Sequence, residues 1–266
     1  MFTFPEWLQD YQIKDEEFAG AYEMISPQQR AWLKKTIAQV YAVNSPENPQ
    51  KTWTVNTWRG GFETEVSGSP LDWVVMLIDK GSVSAVRILA ALTPALACGV
   101  KNVLVAFTGD GEISPAVLTG FELAGQEDVV CVSSDRLSEL LSYVAGSGFN
   151  GTVLDMRSVA ERLPYSAQMR YWRGPKISII SVCKDENLPD MDVLAFAHPD
   201  VDFVCVEEES LEDAPGQAIV VPAELVGDVL SKFRIVLAHG QEGCWIWNDF
   251  DSSFFRQESV ALAVAE

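Results

Sequence analysis

Valine-rich runs alternate with helix-like runs from residue 71 onward, and no other feature restricts the fold of this chain so strongly. The order is LDWVVMLID (71–79), SAVRILAALTPALA (84–97), NVLVAF (102–107), SPAVLTGFELAG (114–125), DVVCVS (128–133) and RLSELLSYVAG (136–146). A strand that is apolar on both faces must be covered on both faces, so strands of this kind separated by helices predict a parallel sheet between helical layers. A second series opens at KISIISV (176–182) and continues through DMDVLAFAH, VDFVCVE, AIVV, a helix-like stretch over 223–232, RIVLA and CWIWNDF. Together the two series predict an α/β protein with two parallel sheets. No internal repeat of fixed period is visible.

The first 45 residues read as helical. Ser26-Pro27 has the form of an N-cap followed by proline at the first helical position, and Ala31, Leu33, Ile37, Val40 and Tyr41 then supply an apolar face. NSPENPQ (44–50) is a turn-rich break, and TWTVNTW with RGGFETEV predicts short extended segments around a Gly-Gly turn.

Charge narrows the range of partners. With 38 acidic against 19 basic residues the formal charge is −19, which repels a phosphate backbone, so no nucleic-acid partner is expected. The densest basic stretch, MRYWRGPK (169–176), reads as a solvated loop. No apolar run reaches the roughly 18 residues of a membrane span, and MFTFPEWLQDYQ lacks the basic start and apolar stretch of a secretory signal. No membrane association and a cytoplasmic location are therefore expected. The five cysteines form no CxxC pair, and four of them, within or beside apolar runs, read as buried, reduced thiols.

Several long segments carry a resemblance to a known family. SPLDWVVMLIDKG (69–81), SVSAVRILAALTPALACGVKNVLVAF, ISPAVLTGFELAGQEDVVCVSSDRLSELL, RGPKISIISV and LAFAHPDVDFVCV are similar to the successive strand, helix and turn segments of histidinol dehydrogenase, within the aldehyde-dehydrogenase-like superfamily. The resemblance covers about half the chain and implies two Rossmann-like parallel-sheet domains with a helical N-terminal region. It implies a discontinuous domain of residues 1–80 plus 174–266, with 81–173 inserted, because the family's return segment begins where Gly174-Pro175 stands.

The family's functional residues carry over only in part. His198 matches the histidine of the family's metal segment, but Ala195 stands where the family has a glutamine ligand, and the later Asp and His ligands have no counterpart. Zinc needs about three protein ligands even at an open site, so no metal is expected. The family's adjacent Glu-His pair, its proton-transfer machinery, is absent, and no catalytic set can be named. Ser133, Ser134, Asp135 and Arg136 replace a Gly-Gly-Ala-Gln turn; glycines admit a pyrophosphate where an aspartate adds unfavourable charge. These four residues are the candidate cofactor-binding positions. No cofactor is expected, NAD being the alternative. Lys80, Ser82, Ser84, Lys176 and His198 occupy positions that the resemblance brings to the cleft.

The leading expectation is a histidinol dehydrogenase-related protein, shortened and without zinc-dependent activity, that binds a small ligand or a protein partner in the inherited interdomain cleft. One alternative is an active NAD-dependent oxidoreductase of the same superfamily. Another is a structural or interaction subunit, including a homodimer, whose eight tryptophans partly serve an interface. GQEGC (240–244) has the form of a cysteine-nucleophile motif with the wrong spacing, TGDGE (108–112) reads as a helix-entry turn at a sheet edge, and EEESLEDAPG (207–216) reads as a solvated acidic loop.

Overall fold

The computed structural model of the protein describes residues 1–44, 51–159, 164, 166–185, 189–250 and 253–264. A 3-10 turn at Glu6–Tyr11 leads into helices α1 (Asp15–Met24) and α2 (Pro27–Val43). The predicted cap is present: Ser26 Oγ accepts from the Gln29 amide at 3.2 Å while the Gln29 side chain accepts from the Ser26 amide at 3.0 Å. Most of NSPENPQ lies outside the described residues.

Strands β1 (Thr52–Trp58) and β2 (Phe62–Pro70) form the expected hairpin, with Gly61 at φ +79° in the turn. The first α/β series follows as β3 (Trp73–Asp79), α3 (Ala85–Ala97), β4 (Asn102–Thr108), α4 (Pro115–Ala124), β5 (Val129–Cys131), α5 (Ser134–Gly146), β6 (Gly151–Asp155) and β7 (Met169–Arg173). Its five strands are parallel in the order β5-β4-β3-β6-β7. The second series is β8 (Ile179–Cys183), α6 (Met191–Ala197), β9 (Asp202–Val206), β10 (Ala218–Val221), α7 (Val226–Val229) and β11 (Ile235–Ala238). It makes a separate parallel sheet in the order β11-β10-β8-β9.

Strand periodicity distributes β3 between two cores. Val74, Met76 and Ile78 point to one side, with α2, α3 and α4, while Trp73, Val75 and Leu77 meet α5 and the N-terminal Phe2 and Leu8 on the other. The first core continues into the inner face of the second sheet, through Ile180, Val182, Ala218 and Val220. The seam between the sheets is aromatic: Trp172 packs on Trp247 at 5.5 Å and Trp247 on Trp245 at 5.5 Å.

Four segments depart from expectation. MRYWRGPK is in part the edge strand β7, because Trp172 has a core to enter. CWIWNDF is irregular; its tryptophans are spent on the seam and not on a ladder. The helix-like 223–232 contains only a 3-10 turn and the four-residue α7. The C-terminal β12 (Arg256–Val264) was not anticipated and pairs antiparallel with β2. The boundary drawn at 80/81 falls just past the end of β3, so the centre of the first sheet lies across it from its hydrogen-bonded neighbours. The ladder runs from Trp73 to Arg173.

A glycine sets the spacing at the sheet's centre. A Cβ on Gly151 would stand 2.1 Å from the ring of Trp73, which is fully buried. Gly151→Ala is therefore expected to cost about 3 kcal/mol through overpacking, measured as a lower denaturant midpoint. An unchanged midpoint would contradict this packing.

Candidate functional site

In the first sheet the chain steps outward from β3 through β4 to β5, then returns to the other side of β3 at β6. The order reverses between β3 and β6, and the carboxyl ends of parallel strands at such a reversal leave a crevice. A cleft of about 500 Å³ opens there, lined by Asp79 at the end of β3, Gly109 and Asp110 beyond β4, Arg157 and Ser158 beyond β6, and Lys176 beyond β7. Its far wall is Ile177, Asp200 and Trp247, from the second series and the seam. The mouth is stitched across the reversal, since Asp79 Oδ2 accepts from the Ser158 amide at 2.7 Å and from its hydroxyl at 2.6 Å.

Two ion pairs, each with a buried guanidinium, define the electrostatics. Asp155, fully shielded, accepts from Arg157 Nε at 2.9 Å, Arg157 Nη2 at 3.0 Å and the Tyr171 hydroxyl at 3.0 Å. Arg87, on the first turn of α3, pairs with Asp200 across the cleft. Both guanidiniums are thus held by carboxylates, as burial requires. The exposed Lys176 ammonium has no partner among the described residues. The positive end of α3 points into the same space, with Ser84 as its N-cap. Asp110 stands at the exposed rim.

The cleft gathers three of the sequence-derived positions, Ser82, Ser84 and Lys176. Ser84 is buried and its hydroxyl is committed, accepting from the Arg87 amide at 3.3 Å and donating to the Ala197 carbonyl at 2.8 Å. Lys80 lies elsewhere, beside Cys131 and Glu17 in a shallow depression against α1. His198 does not line the cleft. It sits fully buried just past the end of α6, edge-on to Trp245 at 5.1 Å, and neither ring nitrogen has a hydrogen-bond partner among the described residues. Burial first, and then the nearby Arg87 charge, push its pKa down to about 3.

The donor set does not fit zinc. Ala195 is exposed while His198 is buried, and the backbone leaves the helix at His198 (φ −132°, ψ 59°), so the three-residue spacing does not bring the two to one face. Among the described residues no three His, Cys, Asp or Glu side chains stand together as an ion site.

The loop 133–136 is also engaged. Ser133 caps α5 by accepting from the Arg136 amide, and Ser134 and Asp135 occupy its exposed first turn. Arg136 binds Glu139 at 2.6 Å and the Tyr11 hydroxyl at 3.2 Å, and lies over the Trp7 ring. This loop follows the edge strand β5, two strands from the reversal. Cys244, in GQEGC, is buried, and burial pushes its thiol up despite Lys35 and Thr36, the opposite of an activated nucleophile.

Sequence reasoning did not single out Arg87, Asp155, Arg157 or Asp200 for the site. The signal available was weak: charged residues embedded in apolar runs, in AVRILAAL and TVLDMR, where an unpaired charge would be costly.

Comparison with known proteins gives a consistent result. Residues 2–135 match the family model for histidinol dehydrogenase. A histidinol dehydrogenase from Methanosarcina barkeri is 23% identical over 97% of this chain, which spans only 63% of that protein's length. The crystal structure of histidinol dehydrogenase from Elizabethkingia anophelis superposes over 97% of this chain and 78% of its own with a TM-score of 0.55 at 12% identity, a likeness of fold. Among the described residues no helix is long and apolar enough to cross a membrane.

The buried imidazole makes stability depend on pH. An unfolded histidine titrates near 6.5 and His198 near 3, so on acidification the unfolded chain takes up this proton first. The contribution is fully present above the unfolded value and is lost progressively as pH falls towards the folded one. Between pH ~6.5 and ~5 the protein should lose about 1–2 kcal/mol more stability than its His198→Leu variant, read from denaturant titrations at both pH values. Equal losses in the two proteins would refute this.

Proposed function

The chain belongs to the histidinol dehydrogenase family, and on that premise we propose that it binds a small polar anion in the cleft at the strand-order reversal and does not carry out zinc-dependent oxidation. The observation that carries this reading is the position of His198. The residue matching the family's metal-binding histidine is sealed behind Trp245, outside the cleft, and its neutral ring has no partner donor. Oxidation of an alcohol requires a means of polarising it and a proton acceptor within hydrogen-bond reach. His198 supplies neither at the cleft.

Binding has firmer support. The cleft volume is within the range of small-molecule sites. Arg87 and Arg157 are neutralised by Asp200 and Asp155, so their role is to shape the walls. Lys176 and the positive end of α3 are the elements left to meet a carboxylate or phosphate. Asp110 at the rim suits a hydroxyl or amine on the same ligand.

The expected results are no histidinol-dependent reduction of NAD, with or without added zinc, and a thermal midpoint that rises with one or more members of a panel of small carboxylates and phosphate esters. Ligand at ~100 times its dissociation constant adds about 2.7 kcal/mol, a rise of roughly 5–10 °C for a chain of this size. Lys176→Glu should abolish that rise while leaving the ligand-free midpoint unchanged. Stoichiometric zinc that is lost in His198→Ala, together with histidinol-dependent turnover, would overturn the proposal.

A further inference from the structure

The second parallel sheet has a strand-order reversal of its own. The chain steps from β8 outward to β9 and returns on the other side of β8 at β10, so the carboxyl ends of these strands also leave room for a ligand. A cavity of about 390 Å³, within the range of small-molecule sites, opens at that end. Asp190, between β8 and α6, and His239 and Glu242, past the end of β11, line it together with Trp32 and Lys35 of α2. The turn that carries His239 and Glu242 is held at both ends. The His239 amide donates to the Val221 carbonyl of β10 at 3.1 Å, and the Gly243 carbonyl accepts from the Thr36 hydroxyl of α2 at 2.6 Å.

Three charged side chains at this wall are each tied to the backbone and left with capacity to spare. Glu242 Oε1 accepts from the Gly240 amide at 2.9 Å, Lys35 Nζ donates to the Gly240 carbonyl, and Asp190 Oδ1 accepts from the Asp192 and Val193 amides at 3.1 Å each. A carboxylate has two oxygens to satisfy and an ammonium has more than one donor, yet none of the three has a further hydrogen bond or an ion pair among the described residues. Glu242 decides the matter, because it is only 4% exposed. Asp155, equally withdrawn from water, is met by Arg157, whereas Glu242 has one amide and no cation. A buried carboxylate left in that condition is costly unless something else completes its shell. His239 adds an enclosed Nε2 without a hydrogen-bond partner among the described residues. Asp190, His239 and Glu242 do not converge as an ion site, so the missing complement is an organic cation.

We propose that this cavity binds a small zwitterion of the α-amino acid class, its ammonium meeting Glu242 and Asp190 beside the Trp32 ring and its carboxylate meeting Lys35. The inference is independent of the anion reading of the first cleft. Two arguments select a zwitterion. The cavity presents charges of both signs that are not paired with each other, so a plain amine would face Lys35 unmatched and a plain anion would face two carboxylates on a chain of charge −19. Trp32, whose ring is braced by Phe196 at 5.5 Å, adds the aromatic surface on which an ammonium group is most favourably held.

The test is calorimetric titration of the full chain with the proteinogenic L-amino acids and, for each that binds, with the amine lacking its carboxylate and the acid lacking its amine. At least one amino acid should bind, and both truncated forms should bind about tenfold or more weakly. Glu242→Gln keeps the side chain's size and an acceptor for the Gly240 amide while removing the charge, and should weaken binding by about tenfold or more. Lys35→Met, at an exposed position, should also weaken it and tests the other end of the ligand irrespective of how Glu242→Gln folds. Lys176→Glu, in the first cleft, should leave the affinity unchanged. The proposal is overturned if no amino acid binds, if binding survives both Glu242→Gln and Lys35→Met, or if the amine alone binds as well as the amino acid. Binding lost in Lys176→Glu overturns it too, and assigns the amino acid to the first cleft.

Discussion

From Trp73 to Ile78 every side chain of β3 is completely removed from water, and the rest of the molecule is arranged to satisfy that burial. A strand hidden on both faces needs apolar cover on both faces and a hydrogen-bonded neighbour on both edges. α3 and α4 supply one cover, α5 and the N-terminal segment the other, and β4 and β6 close the edges. Gly151 is small because Trp73 occupies the space its side chain would need. Since the chain leaves β3 on one side and returns on the other, the crevice at its carboxyl end follows from the same arrangement.

That crevice is polar without being strongly charged. Each buried guanidinium at its wall is matched by a carboxylate, Arg157 by Asp155 and Arg87 by Asp200. The Arg157–Asp155 pair lies wholly inside the protein and Arg87 is buried against a more exposed Asp200, so losing either carboxylate would leave a guanidinium stranded in a poor solvent. The pairs therefore hold the wall in one arrangement. Arg87 joins the two sheets through Asp200 and through its own carbonyl, which accepts from Trp247 Nε1 at 3.0 Å. The cleft is in this sense a by-product of how the two parallel sheets are fastened together.

His198 illustrates how a residue type can persist while its chemical context does not. A histidine that binds a metal needs a nitrogen facing an open site and other donors beside it. Here the ring is packed against Trp245 with both nitrogens inside protein. Exclusion of water and then Arg87 act against charge on the ring and outweigh the smaller opposing effect of the Glu242 backbone. Packing and electrostatics agree on a neutral structural histidine.

The alternation of valine-rich and helix-like runs was sufficient to establish the α/β class, both parallel series, the Ser26 cap and the Gly-Gly hairpin, because burial periodicity and turn chemistry act over a few residues. The C-terminal strand was legible in principle from Val260, Leu262 and Val264 at every second position, but its pairing with a hairpin almost 200 residues earlier was not. For the site, the sequence alone determined which residue types stand at the family's positions, including Ala195, Ser133 and Lys176. Only the tertiary structure decided that Lys176 meets the cleft while Lys80 and His198 do not, and that Asp155, Arg157, Arg87 and Asp200 form its walls. Those outcomes depend on strand order and on which side of a helix end a side chain leaves, and long-range packing sets both.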